Sequence, residues 1–110
     1  MPSVDTTPLI TAVDQLADRL RALPQSTLRR GAAQEGLALA RSLSERAQRL
    51  EFGPPMEPRV MPDAGVFAVG DQVSVAGHDM ALALAEGPAS APDALAEALR
   101  EVRTAAARVG

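Results

Sequence analysis

Beyond its first eight residues, this 110-residue chain is punctuated by proline at three places only. These are Pro24, the cluster of Pro54, Pro55, Pro58 and Pro62, and the pair Pro88 and Pro92. Proline lacks an amide hydrogen and its ring clashes with the preceding turn, so a helix can begin at one but not run through it. The chain is thereby cut into four long proline-free segments, each of which has to form its own element.

Three of the four segments read as amphipathic helices. In the first, Leu9, Val13, Leu16, Leu20 and Leu23 recur at spacings of four and three, which is one apolar face of a helix. Thr7 is placed to cap it, Pro8 suits its first position, and Pro24 ends it, giving a helix over about 8–22. In the second, Leu28, Ala32, Gly36, Leu39, Leu43, Ala47 and Leu50 form the inner face of a long helix over 27–52, widened by Leu37 and Ala40. Ser26 is its expected cap, and Gly53 with Pro54 and Pro55 its stop. Arg41 with Glu45, and Glu45 with Arg49, have the four-residue spacing of surface ion pairs. In the last, Leu95, Leu99, Val102, Ala106 and Val109 repeat the pattern over 91–108, with Ser90 as cap and Asp93 in the capping-box position.

The third segment allows two readings. As a helix over 64–86 it places Val66, Val69, Val73, Ala76, Met80 and Leu84 on one face, with Asp63 as cap. Gly70 and Gly77 then lie in its interior, at a cost of about 0.8–1.0 kcal/mol each relative to alanine. As a hairpin, runs at 66–69 and 72–76 would be joined by Gly70-Asp71, a glycine-first two-residue turn. An isolated hairpin is marginal, and the three-four spacing continues unbroken through both glycines, so the helix is preferred. Seven residues apart, Gly70 and Gly77 share one strip, where their small size permits a close crossing, and Gly36 with Ala33 and Ala40 offers a matching strip on the second helix.

The predicted architecture is a single all-α domain spanning 1–110, a small up-down four-helix bundle with a proline-rich connector over 53–63. The alternative is an α+β fold with the 66–76 hairpin packed on helices. Composition agrees with the first. There are 22 Ala and 13 Leu but one Ile, two Phe, and no Trp, Tyr, Cys or Lys, so the aromatic and β-branched stock of a small sheet protein is missing. The spacing of Pro55 and Pro58 also fits a polyproline-helix ligand, but in so proline-dense a stretch it is read as a connection.

Functional motifs are sparse. Without cysteine there are no disulfides, thiolate metal sites or thiol nucleophiles. Asp71, Ser74 and His78 would form one polar line on a helix, nominally an acid, a hydroxyl and the only imidazole. Three side chains pointing outward in parallel supply neither a nucleophile elbow nor an oxyanion hole, so they are read as a solvated face. His78 and Asp79 with Asp71 make a poor metal set, and no Glu-x-x-His motif or glycine-rich phosphate loop is present. No catalytic residue, cofactor or metal is therefore expected. The 11 arginines are outnumbered by 14 acids, giving a net charge of -3, and no basic stripe or base-stacking aromatic suggests nucleic acid. No leader peptide or membrane span is apparent. The expectation is a cytoplasmic, non-catalytic helical interaction or scaffold protein, pairing with itself as a homodimer or with another helical protein. The alternative is a small DNA-binding regulator that uses the 24–30 turn, with Arg29 and Arg30 opening a recognition helix.

Overall fold

The computed structural model describes residues 4–53 and 56–109. Four helices make up the bundle: α1 (Thr7–Ala22), α2 (Ala33–Phe52), α3 (Val69–Ala85) and α4 (Ala91–Arg108). The fold is a small all-helical four-helix bundle of up and down helices, two running each way, with no strand among the described residues. The hairpin alternative at 66–76 is not formed: Val66–Ala68 is a 3-10 turn that leads directly into α3. The expected stop at Pro54 and Pro55, and half of the Pro55–Pro58 spacing, lie outside the described residues.

α1 buries Leu9, Val13, Leu16, Ala17 and Leu20. Its start differs from expectation. Thr7 is its first residue rather than its cap, and the Thr7 amide donates to Asp5 Oδ1 at 3.0 Å. Hydrogen bonding from Thr7, by its side chain first and its amide second, holds the Asp5 carboxyl below its ordinary pKa.

The second helix does not run unbroken over 27–52. A helical turn that starts at Gln25 and contains Ser26 runs on to a kink at Gly31, ahead of the regular helix. Gly31 there has φ 141°, outside the reach of most side chains. Leu28 and Ala32, on either side of the kink, are both buried. From there α2 buries Gly36, Leu39, Ala40, Leu43 and Ala47, and ends at Gly53, whose amide donates to the Arg49 carbonyl at 2.9 Å.

The connector is a tethered crossover. The Gln48 amide pairs with both backbone groups of Arg59, donating to its carbonyl at 2.9 Å and accepting from its N–H at 2.8 Å. Arg41 donates to the Met61 carbonyl and Gln72 to the Pro62 carbonyl, both at 2.8 Å. Asp63 does not cap the helix; it accepts from the Gly65 amide at 2.9 Å in a local turn. The chain thus returns along α2 toward its start, where Val69 meets Gly36. α3 consequently runs parallel to α2, while α1 and α4 run the other way. Arg41 is engaged with the connector, so of the two spacings expected to pair on α2, only Glu45 with Arg49 does, at 2.9 Å.

α3 packs between α1 and α2, and α4 closes the bundle against the same two helices from the opposite side. Gly70 and Gly77 do mark a close crossing, but with α1 rather than α2. A Cβ on Gly70 would lie 2.8 Å from Arg21 Cγ and 3.0 Å from the Ala17 carbonyl oxygen. One on Gly77 would lie 2.6 Å from Val13 Cγ2 and 3.0 Å from Val13 Cβ. Gly36 is buried where α2 meets both Val69 and Leu20. On α4 the buried face is Ala91, Ala98, Val102, Ala105 and Val109, rotated away from the expected one: Leu99 and Ala106 are only half-buried. Ser90 stands at the N-cap but makes no side-chain capping bond.

Gly77→Ala gains up to about 1 kcal/mol of helix propensity but drives a methyl group into the stiff Val13 side chain, at a typical cost of 1–3 kcal/mol. The expected net effect is a loss of roughly 1–2 kcal/mol, larger than for Gly36→Ala, whose contacts are the ends of the Val69 and Leu20 side chains. Urea melts of the two variants measure the order. A second expectation concerns Asp5. Its folded pKa is depressed, so its contribution is fully present above the unfolded value of about 3.9 and is lost as pH falls through the folded one. The first turn of α1 should fray on acidification. Asp5→Asn should remove the acid-induced change in the protection of the Thr7 amide, read as its exchange rate relative to the intrinsic rate at each pH.

Candidate interaction surface

The residues singled out as a polar line on α3 border its contact with α1. Arg21 donates to Asp71 Oδ1 through Nε at 2.9 Å and Nη2 at 2.8 Å, and also pairs with Asp18 at 3.1 Å. The hydrogen bond to Asp71 is the main reason the Arg21 guanidinium holds its proton more firmly than usual. One heptad along, His78 Nε2 lies 2.8 Å from Asp14 Oδ1 and donates to it. Asp71 and His78 are therefore each turned to a different partner on α1, with half-buried Ser74 between them in sequence, and the three do not converge. Among the described residues no group of three metal-ligating side chains gathers. Arg29 and Arg30 are exposed just before the kink at Gly31, ahead of the regular helix they were expected to open, and Arg30 reaches back to Thr27 Oγ1.

A second polar cluster, absent from the sequence reading, joins α2 to α4. Arg46 Nη1 donates to Glu97 at 2.8 Å, Arg46 Nη2 donates to Glu101 at 2.6 Å, and Ser42 Oγ donates to Glu101 at 2.7 Å. Burial works against the Arg46 charge, and the bonds to Glu97 and Glu101 more than offset it, so the guanidinium is held more firmly protonated than usual. The cluster lies in an open groove of about 440 Å³ between the two helices. The single Arg46 guanidinium is shared by both carboxylates and holds the two helices together, so the chemistry of the cluster is that of a clasp. The i,i+4 rule reveals pairs along one helix, whereas this clasp joins residues more than fifty positions apart and depends on the bundle for its proximity.

The outer side of α3 has the opposite character. Val75 and Leu82 are 57 % and 66 % exposed on a helix whose other side is packed into the core, and Phe67, in the 3-10 turn ahead of it, is 71 % exposed. Val75, Leu82, Asp79 and Glu86 line one outward strip, and neither Asp79 nor Glu86 forms an ion pair with another described residue. The outer side of α2 carries Gln34, Arg41, Glu45 and Arg49 along most of its length and ends at Phe52, which is 60 % exposed. Periodicity revealed the inner face of α3. The outer valine and leucine stood in the sequence, but the same apolar enrichment concealed them.

The fold and this surface define a small all-helical bundle with a solvent-facing apolar and acidic strip and no convergent polar site among the described residues. The chain matches no protein-family model, and no curated protein or solved structure is significantly similar to it.

The Arg46 clasp yields an energetic expectation. A double-mutant cycle on Arg46→Ala and Glu101→Ala should return a coupling of about 0.5–1 kcal/mol, the upper range for partly exposed pairs. The matching cycle on Arg49 and Glu45, both more exposed, should return less.

Proposed function

We propose that this chain is a non-catalytic helical interaction protein of the cytoplasm, which docks another helical surface, a second copy of itself included, on the outer strip of α3. The observation that carries this reading is the exposure of Val75 and Leu82 on the most apolar helix of the bundle, with exposed Phe67 in the turn that leads into it. Apolar side chains gathered on one outward strip gain free energy only when a partner removes them from water. The unpaired Asp79 and Glu86 beside them provide the polar margin typical of such contacts. No helix among the described residues is long and apolar enough to cross a membrane, so a lipid-facing role for these side chains has no support of that kind. The DNA-binding alternative rests on Arg29 and Arg30 alone, in a chain of net charge -3.

A photo-cross-linking residue at position 75 or 82 should give a covalent protein adduct in native lysate, and one at Gln34 should not. Equal labelling at all three positions would overturn the docking reading. Salt-sensitive retardation of duplex DNA below about micromolar concentration would favour the alternative, because phosphate contacts appear first at low salt.

A further inference from the structure

The outer side of α4 complements the outer side of α3. It presents Ala96, Arg100, Arg103, Thr104 and Ala107, with half-buried Leu99 along one edge. Arg100 and Arg103 form neither an ion pair nor a side-chain hydrogen bond with another described residue, whereas Arg108 pairs with Glu35 and Arg19 bonds the Ala106 carbonyl. The alanines give this strip low relief, and the arginine stems add apolar cover beside them. The strip on α3 is its inverse: valine and leucine project, and the unpaired charges are carboxylates.

From this complementarity we infer that the chain associates with copies of itself head to tail, the α3 strip of one copy docking on the α4 strip of the next. This rests on the docking role proposed for α3 and names its occupant. Like-to-like pairing is disfavoured by charge. Two α3 strips related by a two-fold axis near residues 78 and 79 would set Asp79 near its own copy and Asp71 near Glu86. Two α4 strips would bring together Arg100 and Arg103 of both copies. Only the α3-to-α4 contact sets carboxylates against guanidiniums while covering Val75 and Leu82.

The placement of the helices decides the form of the assembly. α3 and α4 are each packed mainly against α1 and α2, and their outer strips are two different surfaces of the chain. A contact between them is heterologous. It leaves one unused strip at each end and extends to open chains rather than stopping at a two-fold pair.

Sedimentation of the full chain, over a concentration series at low salt, tests this. The parent should pass beyond dimer as concentration rises, and its association should weaken roughly tenfold between about 50 mM and 500 mM NaCl. Leu82→Asp spoils the α3 strip, and the double substitution Arg100→Glu, Arg103→Glu spoils the α4 strip; both change outward side chains only. Each variant alone should stay monomeric. An equimolar mixture of the two retains one sound strip of each kind and should form a dimer that grows no further, which also shows that both variants are folded. A parent that remains monomeric up to about 1 mM overturns the inference, as does a dimer that forms unchanged with the Arg100/Arg103 variant. If position 75 meanwhile cross-links to a different protein, the docking role of α3 stands and only the head-to-tail occupant falls.

Discussion

The crossing of α1 and α3 is the contact on which the rest of the bundle is built. It is close because Gly70 and Gly77 present no Cβ to Ala17, Arg21 and Val13. Each glycine weakens α3 as a helix by about 0.8–1.0 kcal/mol, and the approach they permit lets Val13 seat directly on the α3 backbone. Two polar contacts flank the seam one heptad apart, the Arg21–Asp71 ion pair and the His78–Asp14 hydrogen bond, which set the antiparallel register of the two helices. These pairs are exposed and contribute little energy; their value is in alignment. With α3 drawn onto α1, its Val69, Val73, Met80 and Leu84 are left facing α2 and the centre of the core.

The connector supplies the second constraint. Thirteen residues from Gly53 to Gly65 are far more than a bundle turn needs. They are held by the side chains of Gln48, Arg41 and Gln72, each bonded to connector backbone. Such bonds satisfy carbonyls in a segment whose prolines remove part of its own hydrogen-bonding capacity. They also carry the chain back to the start of α2, so that α3 descends beside α2 in parallel. Without that return α3 would run antiparallel to α2, and its small face would not meet α1 in the same register. The outward placement of Val75 and Leu82, and hence the surface proposed for docking, follows from the same geometry.

Legibility in the sequence varied with residue size. Leu9, Val13, Leu16 and Leu20 on α1, and Leu39 and Leu43 on α2, are buried as their spacing implies, because a large side chain placed outward would leave an obvious gap in the pattern. On α4 the pattern misled: in a helix with alanine on every side, Ala98 and Ala105 cannot be told from outward alanines, and Leu99 drew the expected face around the axis. Gly31 could be seen as a weak point in a long helix, yet nothing local indicates that the chain leaves helical geometry there. Gly70 and Gly77 were legible as a close-packing strip, but not the helix they would meet, since an absent side chain carries no information about its neighbour.

By itself, the sequence determined the all-helical class, the positions at which the chain must break, and the core-facing side of α1, α2 and α3. These follow from proline stereochemistry and from apolar periodicity, both of which act within a few residues. Only the tertiary structure decided which helices adjoin, that the connector crosses over, and that Arg46 clasps Glu97 and Glu101. Those outcomes depend on contacts between residues tens of positions apart. Such contacts are set by how several weakly differentiated alanine-rich faces fit together, and no local pattern encodes that fit.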